Sequence, residues 1–155
     1  MATSAQVLAW GECSVTATPI EGSGATVTSA VTFPTPVEGT TNLSTTQGDK
    51  NEAKVEGGAV VAVRYNANSY ELTFDIRMHS TLTALPLDGT DGVIPGEFTV
   101  VVKPTENTAA PGVTINRASA NVQVSYTSEG GVVATYTFSS LKVENGNQIT
   151  VGVIS

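Results

Sequence analysis

The sequence predicts an all-β fold, a β-sandwich or barrel-like domain, and three observations indicate it. Valine and threonine are abundant, helical periodicity is nearly absent, and glycine, asparagine and proline interrupt the chain at short intervals. The segment Ser69–Met78 alternates apolar and polar residues, which is typical of an antiparallel strand with one buried face. Because 155 residues is the size of one domain, we expect a single domain over residues 1–155.

Four strands are predicted in the first half of the chain. They are Gln6–Thr18, Ala25–Phe33, Ala59–Tyr65 and Ser69–Met78. Pro34 ends the second strand because proline has no N–H to donate to a ladder. The last two strands are predicted to pair as a tight hairpin through Asn66–Asn68, since asparagine tolerates the positive φ angles of such turns.

The second half of the chain repeats this pattern. Its predicted strands are Glu97–Lys103, Val113–Tyr126 as one broken strand or two short ones, Val133–Val143 and Gln148–Ile154. Glu129–Gly131 and Asn145–Gly146 are hairpin signals. The apolar residues change parity between Phe138 and Leu141, which predicts a β-bulge near Ser139–Ser140.

A long polar arm, about residues 39–58, has too few apolar residues to bury a surface of its own. Asp49–Val55 within it is predicted as a short helix that Gly57 and Gly58 end. A helix of that length is marginal in water, so we expect neighbouring subunits to order the arm. The predicted inter-subunit contact is its mixed-charge patch, which consists of Asp49, Lys50, Glu52, Lys54 and Glu56.

Residue types that commonly carry out catalysis or bind metal ions are scarce in the sequence. His79 and Cys13 are the only histidine and the only cysteine, so the chain offers no histidine–nucleophile pair of the usual kind and no Cys/His metal cluster. The sequence Asp88–Gly92 is better explained as a turn than as a calcium loop, because the spacing of its carboxylates departs from the calcium pattern. We therefore expect no enzymatic activity, no cofactor and no metal.

Charge and hydropathy limit the classes of partner that the protein can have. Fourteen acidic residues against seven basic ones give a net charge of −7, which disfavours adhesion to a phosphate backbone. The first residues lack the basic and apolar regions of a secretion signal, and no apolar run reaches the length of a membrane span. We expect no membrane partner and a chain that is made and kept in a cytoplasm-like space.

The run Thr40–Ile76 carries a family resemblance. It combines a Leu43–Thr46 lead, the charged stretch Asp49–Glu56, a Glu56–Gly58 stop and two strands. The likeness continues at Asp91–Ile94, Gly96–Phe98, Ile115–Arg117, Ser125–Tyr126 and Tyr136–Phe138. From residue 40 to about residue 143, the chain resembles the tail tube (major tail) proteins of long-tailed bacteriophages.

The resemblance implies a structural virion protein with a tail-tube fold. Six copies would close into a hexameric ring, and rings would stack by self-assembly into a tube through which DNA passes without specific binding during genome ejection. The partners implied are the protein itself and the tail terminator, tape measure and baseplate proteins. The protein would be made in the host cytoplasm and reside in the phage tail. Glu71, Asp75 and Arg77, on the polar face of one strand, are then predicted to line a channel of net negative potential.

Another class of protein fits the same composition. A β-sandwich binding module, either carbohydrate-binding or adhesive, would use the long loops His79–Gly96 and Lys103–Gly112 as a recognition rim. A capsid decoration domain is a third possibility. A ring or filament in solution would favour the tube, and a monomer would favour the binding module.

Overall fold

The computed structural model describes residues 12–106, 109–144 and 146–154, and every regular element in those ranges is a strand. The strands are β1 (Cys13–Pro19), β2 (Val31–Thr32), β3 (Asn42–Thr46), β4 (Lys50–Lys54), β5 (Val60–Tyr65), β6 (Ser69–Arg77), β7 (Val93–Pro104), β8 (Gly112–Thr127), β9 (Gly131–Ser140) and β10 (Ile149–Gly152). The all-β prediction is confirmed. Gln6–Gly11 of the predicted first strand lies outside the described residues.

Eight strands form one antiparallel sheet, which is strongly curled into a half-barrel. Its order is β2-β1-β7-β8-β9-β6-β3. β8 is the longest strand, with β9 along Ala118–Thr127 and β10 along Gly112–Ile115. β4 and β5 form a separate two-stranded sheet. The core therefore lies within the curl of a single sheet rather than between two layers.

The alternating pattern of β6 is confirmed, because Leu72, Phe74 and Ile76 are buried. In the ladder with β9, Phe74 is opposite Tyr136 and Leu72 is opposite Phe138. Adjacent large side chains of this kind are the units that stabilise a sheet. Both strands thus contribute an apolar row to the core.

Phe33 shows how far the sheet curls. It follows β2 at one edge, yet its ring centroid lies 5.1 Å from that of Phe74 and 4.8 Å from that of Tyr136, on strands near the opposite edge. These rings meet edge to face, the geometry that aromatic quadrupoles favour. The buried face consists of Val15, Ala17, Phe33, Leu72, Phe74, Ile76, Leu87, Ile94, Phe98, Val100, Ile115, Ala118, Ala120, Val122, Ala134, Tyr136 and Phe138.

The predicted helix Asp49–Val55 is wrong, because Lys50–Lys54 is strand β4. A helix of seven residues cannot offset its own nucleation cost, whereas the valine-rich β5 offers β4 a complete ladder. Gly57 and Gly58 have φ angles of +93° and +88° and make the turn between these strands instead of a helix end. The polar arm is therefore two elements: β3, which pairs with β6, and the first half of the β4–β5 hairpin.

Asn66–Asn68 does not make a hairpin between β5 and β6. β5 pairs with β4, and β6 lies between β3 and β9 in the large sheet. The asparagines instead connect the small sheet to the large one. Of the predicted second strand, only Val31–Thr32 is a strand, although Phe33 is buried as its pattern suggested.

The predicted bulge near Ser139–Ser140 is also wrong. β9 keeps a regular register with β8 up to Ser140 and ends there, so Leu141 lies beyond the strand. The register shifts of the sheet lie instead between β7 and β8. The Glu129–Gly131 turn is confirmed, because Thr127 pairs with Gly131. Asn145 lies outside the described residues, and β10 pairs with β8 rather than β9.

One end of the half-barrel is closed by the segment between β6 and β7. Leu87 is buried there, and the Tyr136 hydroxyl donates a hydrogen bond of 2.6 Å to its carbonyl oxygen. Burial raises the pKa of Tyr136 to about 12. The predicted turn at Asp88–Gly92 is confirmed: Asp91 and Gly92, at φ +50° and +83°, bring Thr90 and Val93 together. This segment is thus anchored to the core through Leu87, with Leu82 and Leu85 packed beside it.

Candidate assembly surfaces

The β4–β5 hairpin is the most exposed regular structure in the described chain. Every residue of both strands is exposed, including Val60, Val61, Val63 and Tyr65, so neither face of the hairpin is covered. An isolated two-stranded hairpin is marginally stable in water, and clustered exposed apolar residues mark interaction sites. The hairpin therefore has the properties of a contact element rather than a core element.

The predicted charge patch lies on this hairpin. Lys50 and Lys54 both approach the Glu52 carboxylate, at 2.8 and 3.8 Å. Asp49 directly precedes β4 and Glu56 lies in its turn, so the structure places these two carboxylates at opposite ends of the hairpin. Surface ion pairs of this kind contribute about 0–1 kcal/mol, so the patch adds little to stability, and its role as an inter-subunit contact remains a prediction.

The base of the hairpin is held by backbone and amide hydrogen bonds. The Gly48 N–H donates to Oδ1 of Asn68 at 3.0 Å, and the Asn66 N–H donates to the Asp49 carbonyl at 2.8 Å. A Cβ atom on Gly48 would lie 2.1 Å from the Asn66 carbonyl oxygen. Only glycine lets the two chain segments approach this closely, so position 48 is a packing requirement.

A polar chain of contacts then connects this base to the large sheet. The Asn68 carbonyl accepts a hydrogen bond from Nε2 of Gln148 at 3.0 Å, and Oε1 of Gln148 accepts one from the Ser140 hydroxyl at 2.6 Å. The same hydroxyl accepts from the Tyr70 N–H at 2.9 Å. We call Gly48, Asn68, Gln148 and Ser140 the base network. The base network is not predictable from the sequence, because its members are up to 100 positions apart and none belongs to a motif.

The residues predicted to line a channel share one face of β6, opposite the core. Glu71 and Arg77 are exposed, and Asp75 is half-buried. The Thr135 hydroxyl donates to Oδ1 of Asp75 at 2.7 Å. The neighbouring strands extend this face with small polar side chains such as Ser139 opposite Glu71. The polar face is therefore continuous across the sheet, and its role as a channel lining remains a prediction.

The charges of this polar face balance. Besides the three β6 residues it carries Glu97, Lys103 and Arg117, which gives three acidic and three basic groups on the described strands. Arg117 forms an ion pair with Glu97, and its hydrogen bonds hold the pKa of that carboxyl below the usual value. A net negative channel would thus need charges from elsewhere in the protein.

The two side chains considered as candidates for catalysis or metal binding each lie beside a threonine hydroxyl. Nδ1 of His79 lies 2.9 Å from the Thr81 hydroxyl, and the Cys13 thiol lies 3.6 Å from the Thr41 hydroxyl. Within ranges 12–106, 109–144 and 146–154, three or more potential metal ligands do not gather in any one place. No helix in those ranges has the length and hydropathy to cross a membrane.

Comparison with known proteins does not assign the chain to a family. Neither a protein-family model nor a curated protein matches its sequence. The function must therefore be argued from the surfaces described above.

Proposed function

We propose that this protein is a structural protein that self-assembles into stacked hexameric rings, and that these rings form the tail tube of a long-tailed bacteriophage. The observation that carries the proposal is the β4–β5 hairpin, an ordered element with no covered face. Contact with another copy would bury its valines and Tyr65 and so stabilise it. An exposed hairpin of this kind is suited to contact between copies and supplies no catalytic group.

Charge complementarity favours another copy of the chain as the partner of the hairpin. The segment Gly48–Tyr65 holds three of the seven basic residues and three of the fourteen acidic ones, so it is neutral. The rest of the chain carries the whole net charge of −7. Two bodies of this charge repel each other, but a neutral hairpin with exposed lysines can dock on an acidic body.

The polar face supports the passage of DNA without adhesion. Its side chains are mainly Ser, Thr and Asn, and the balanced charges give no basic stripe for phosphates to bind. A wall of this kind suits a conduit better than a binding site. The terminator, tape measure and baseplate proteins are the further partners that this proposal implies.

The alternative, a binding module, has less support. Its proposed rim included His79–Gly96, but Leu82, Leu85 and Leu87 in that segment pack against the core. The Leu87 backbone also bonds to the Tyr136 hydroxyl. A segment that closes the core is not free to adapt to a ligand, so we prefer assembly.

Replacing Lys50–Tyr65 with a short Gly-Ser linker tests the proposal. The large sheet keeps all of its own ladders in this variant, and loop length costs little closure entropy. We expect a folded monomer that forms no rings or tubes, measured by circular dichroism, sedimentation and electron microscopy. The full chain at the same concentration should form them.

Two finer variants locate the effect within the hairpin. Val61→Ser should weaken assembly, whereas Val93→Ser, at a valine of similar exposure on β7, serves as the matched control and should not. Reversal of Lys50 and Lys54 to glutamate should also weaken it, with a smaller effect at high salt. Normal tubes from the linker variant would contradict the proposal, and a full chain that remains monomeric would favour the binding module.

A further inference from the structure

The half-barrel leaves an apolar cavity at the end opposite its closing segment. We call this cavity the socket; its volume is about 250 Å³. Leu72 and Ile115, both buried, form its floor, and Cys13 lies in its wall. The full lining is Cys13, Thr41, Leu43, Leu72, Val102, Pro104, Pro111, Gly112, Val113 and Ile115. An apolar cavity of roughly 150 Å³ is enough to hold one benzene ring, so the socket has room for an aromatic side chain.

The far end of β8 carries exposed apolar side chains. Ala118, Ala120 and Val122 face the core, and the same row continues with Val124 and Tyr126 after the core has ended. Val124 is 58% exposed and Tyr126 is 74% exposed. Val132, opposite Tyr126 on β9, completes this apolar end, which we call the ribbon tip (Val124, Tyr126 and Val132).

The edge of β8 at the ribbon tip is unprotected. β7 pairs with β8 no further than Asn121, and the Gly92 carbonyl accepts the Val122 N–H. The strand segment from Val122 to Thr127 contains no lysine, proline or register shift, the usual devices that blunt an exposed edge. A surface that is apolar and unprotected in this way is suited to burial against another chain.

We infer that the ribbon tip of one copy inserts into the socket of a second copy, with the Tyr126 ring in the cavity. The two surfaces lie near opposite ends of one strand, since Ile115 and Tyr126 are roughly 35 Å apart at 3.3 Å per residue. A contact between two different surfaces of the same chain is heterologous, and it repeats as an open stack when the rotation between copies does not close into a ring. We place this head-to-tail contact along the tube axis, between stacked rings, so the inference rests on the proposed function.

The size of this contact decides how it acts. A tyrosine buries roughly 150–250 Å², whereas a stable interface between two proteins needs roughly 1,200–2,000 Å². One ribbon tip in one socket is therefore too small to hold two free molecules together. Several such contacts formed at once between two rings would act together and gain the strength that one lacks. The small area thus favours a copy held in an assembly over a separate soluble partner.

Cross-linking between two single-cysteine proteins tests the contact. Cys13 is the only cysteine and lies in the socket wall, so the wild-type chain carries its single reactive thiol there. A Cys13→Ser/Val124→Cys double variant labels the ribbon tip alone and keeps the Tyr126 ring. Mixed under assembly conditions and treated with a short bis-maleimide, the two proteins should give a covalent dimer in which mass spectrometry finds positions 13 and 124 linked. Val124 is exposed, so its replacement should leave the fold intact.

The matched control is Cys13→Ser/Val93→Cys, which places the thiol at a valine of similar exposure outside the ribbon tip. It should give at least tenfold less of the mixed dimer. Equal yields from the two variants would overturn the inference. A Cys13 thiol that resists maleimide in the dilute wild-type monomer would also overturn it, because the chain's own residues would then fill the socket.

The outcome separates this inference from the proposed function. Tubes that form without the 13–124 link would overturn the axial contact and leave the tail-tube proposal standing. A 13–124 link in assemblies that contain no rings would contradict the tube and also the placement of this contact between rings.

Discussion

The curled sheet and the β4–β5 hairpin are built from the same kind of strand, yet they are ordered in different ways. Phe74 and Phe138 on the sheet are completely buried, while each residue of β4 and β5 is exposed. The sheet is stabilised by apolar burial, and the hairpin depends on its ladder and on the base network. A β-strand therefore does not imply a contribution to the core, and an element that makes none is available for contact with other molecules.

The largest expected difference between the two regions comes from truncating one side chain in each. Phe74→Ala removes a ring that contacts those of Phe33, Tyr136 and Phe138, so we expect a loss of about 3–5 kcal/mol in the free energy of unfolding. Val61→Ala in the hairpin should cost about 0.5 kcal/mol or less. Urea denaturation of the monomer measures both, and equal losses would mean that the hairpin packs on the core.

Gly48→Ala sharpens the comparison at the junction of the two regions. A Cβ atom there overlaps the Asn66 carbonyl, and relief of such overpacking costs roughly 1–3 kcal/mol. We expect faster amide hydrogen exchange in residues 49–66 and no change in the strands of the large sheet. Gly152→Ala is the control, because a Cβ at that glycine meets no atom within 4 Å. Unchanged exchange in the hairpin would show that the close approach does not hold it.

Alkaline pH should destabilise the sheet and not the hairpin. The raised pKa of Tyr136, about 12 against 10.0 for a free tyrosine, means that only the unfolded chain ionises between these values. Stability is therefore intact below pH 10 and falls by about 2 kcal/mol by pH 12. Tyr136→Phe should remove this fall while costing about 1 kcal/mol at neutral pH. Thermal melts of the wild type and of Tyr136→Phe across this range measure the difference.

The part of the fold that was predictable from the sequence is the part in which the pattern is local. The alternation in β6 identifies Leu72, Phe74 and Ile76 as buried, and the Glu129–Gly131 turn fixes the β8–β9 pair. Both signals are complete within a window of about ten residues. The Asp49–Val55 segment contains no such signal, because its strand conformation depends on pairing with Val60–Tyr65.

The candidate surfaces were predictable only in part. The charged residues of the hairpin stand out in the sequence, and the structure does place them on an exposed element. The base network and the socket do not stand out, since each joins residues that are far apart in the chain. Val124 and Tyr126 continue the alternating pattern of the core residues of β8. They are exposed in the structure, where β7 pairs with β8 no further than Asn121. Exposure of this kind is decided by which strands end first.

The base network also has a consequence for the timing of biosynthesis. The ribosome makes Asn68 eighty residues before Gln148, so a nascent chain has its β4–β5 hairpin long before it has the amide that fixes the base. Domains fold as units while synthesis proceeds from the N-terminus. The contact between the Gln148 amide and the Asn68 carbonyl can thus form only after strands β1–β9 have been made, so it is among the last contacts of the fold to form.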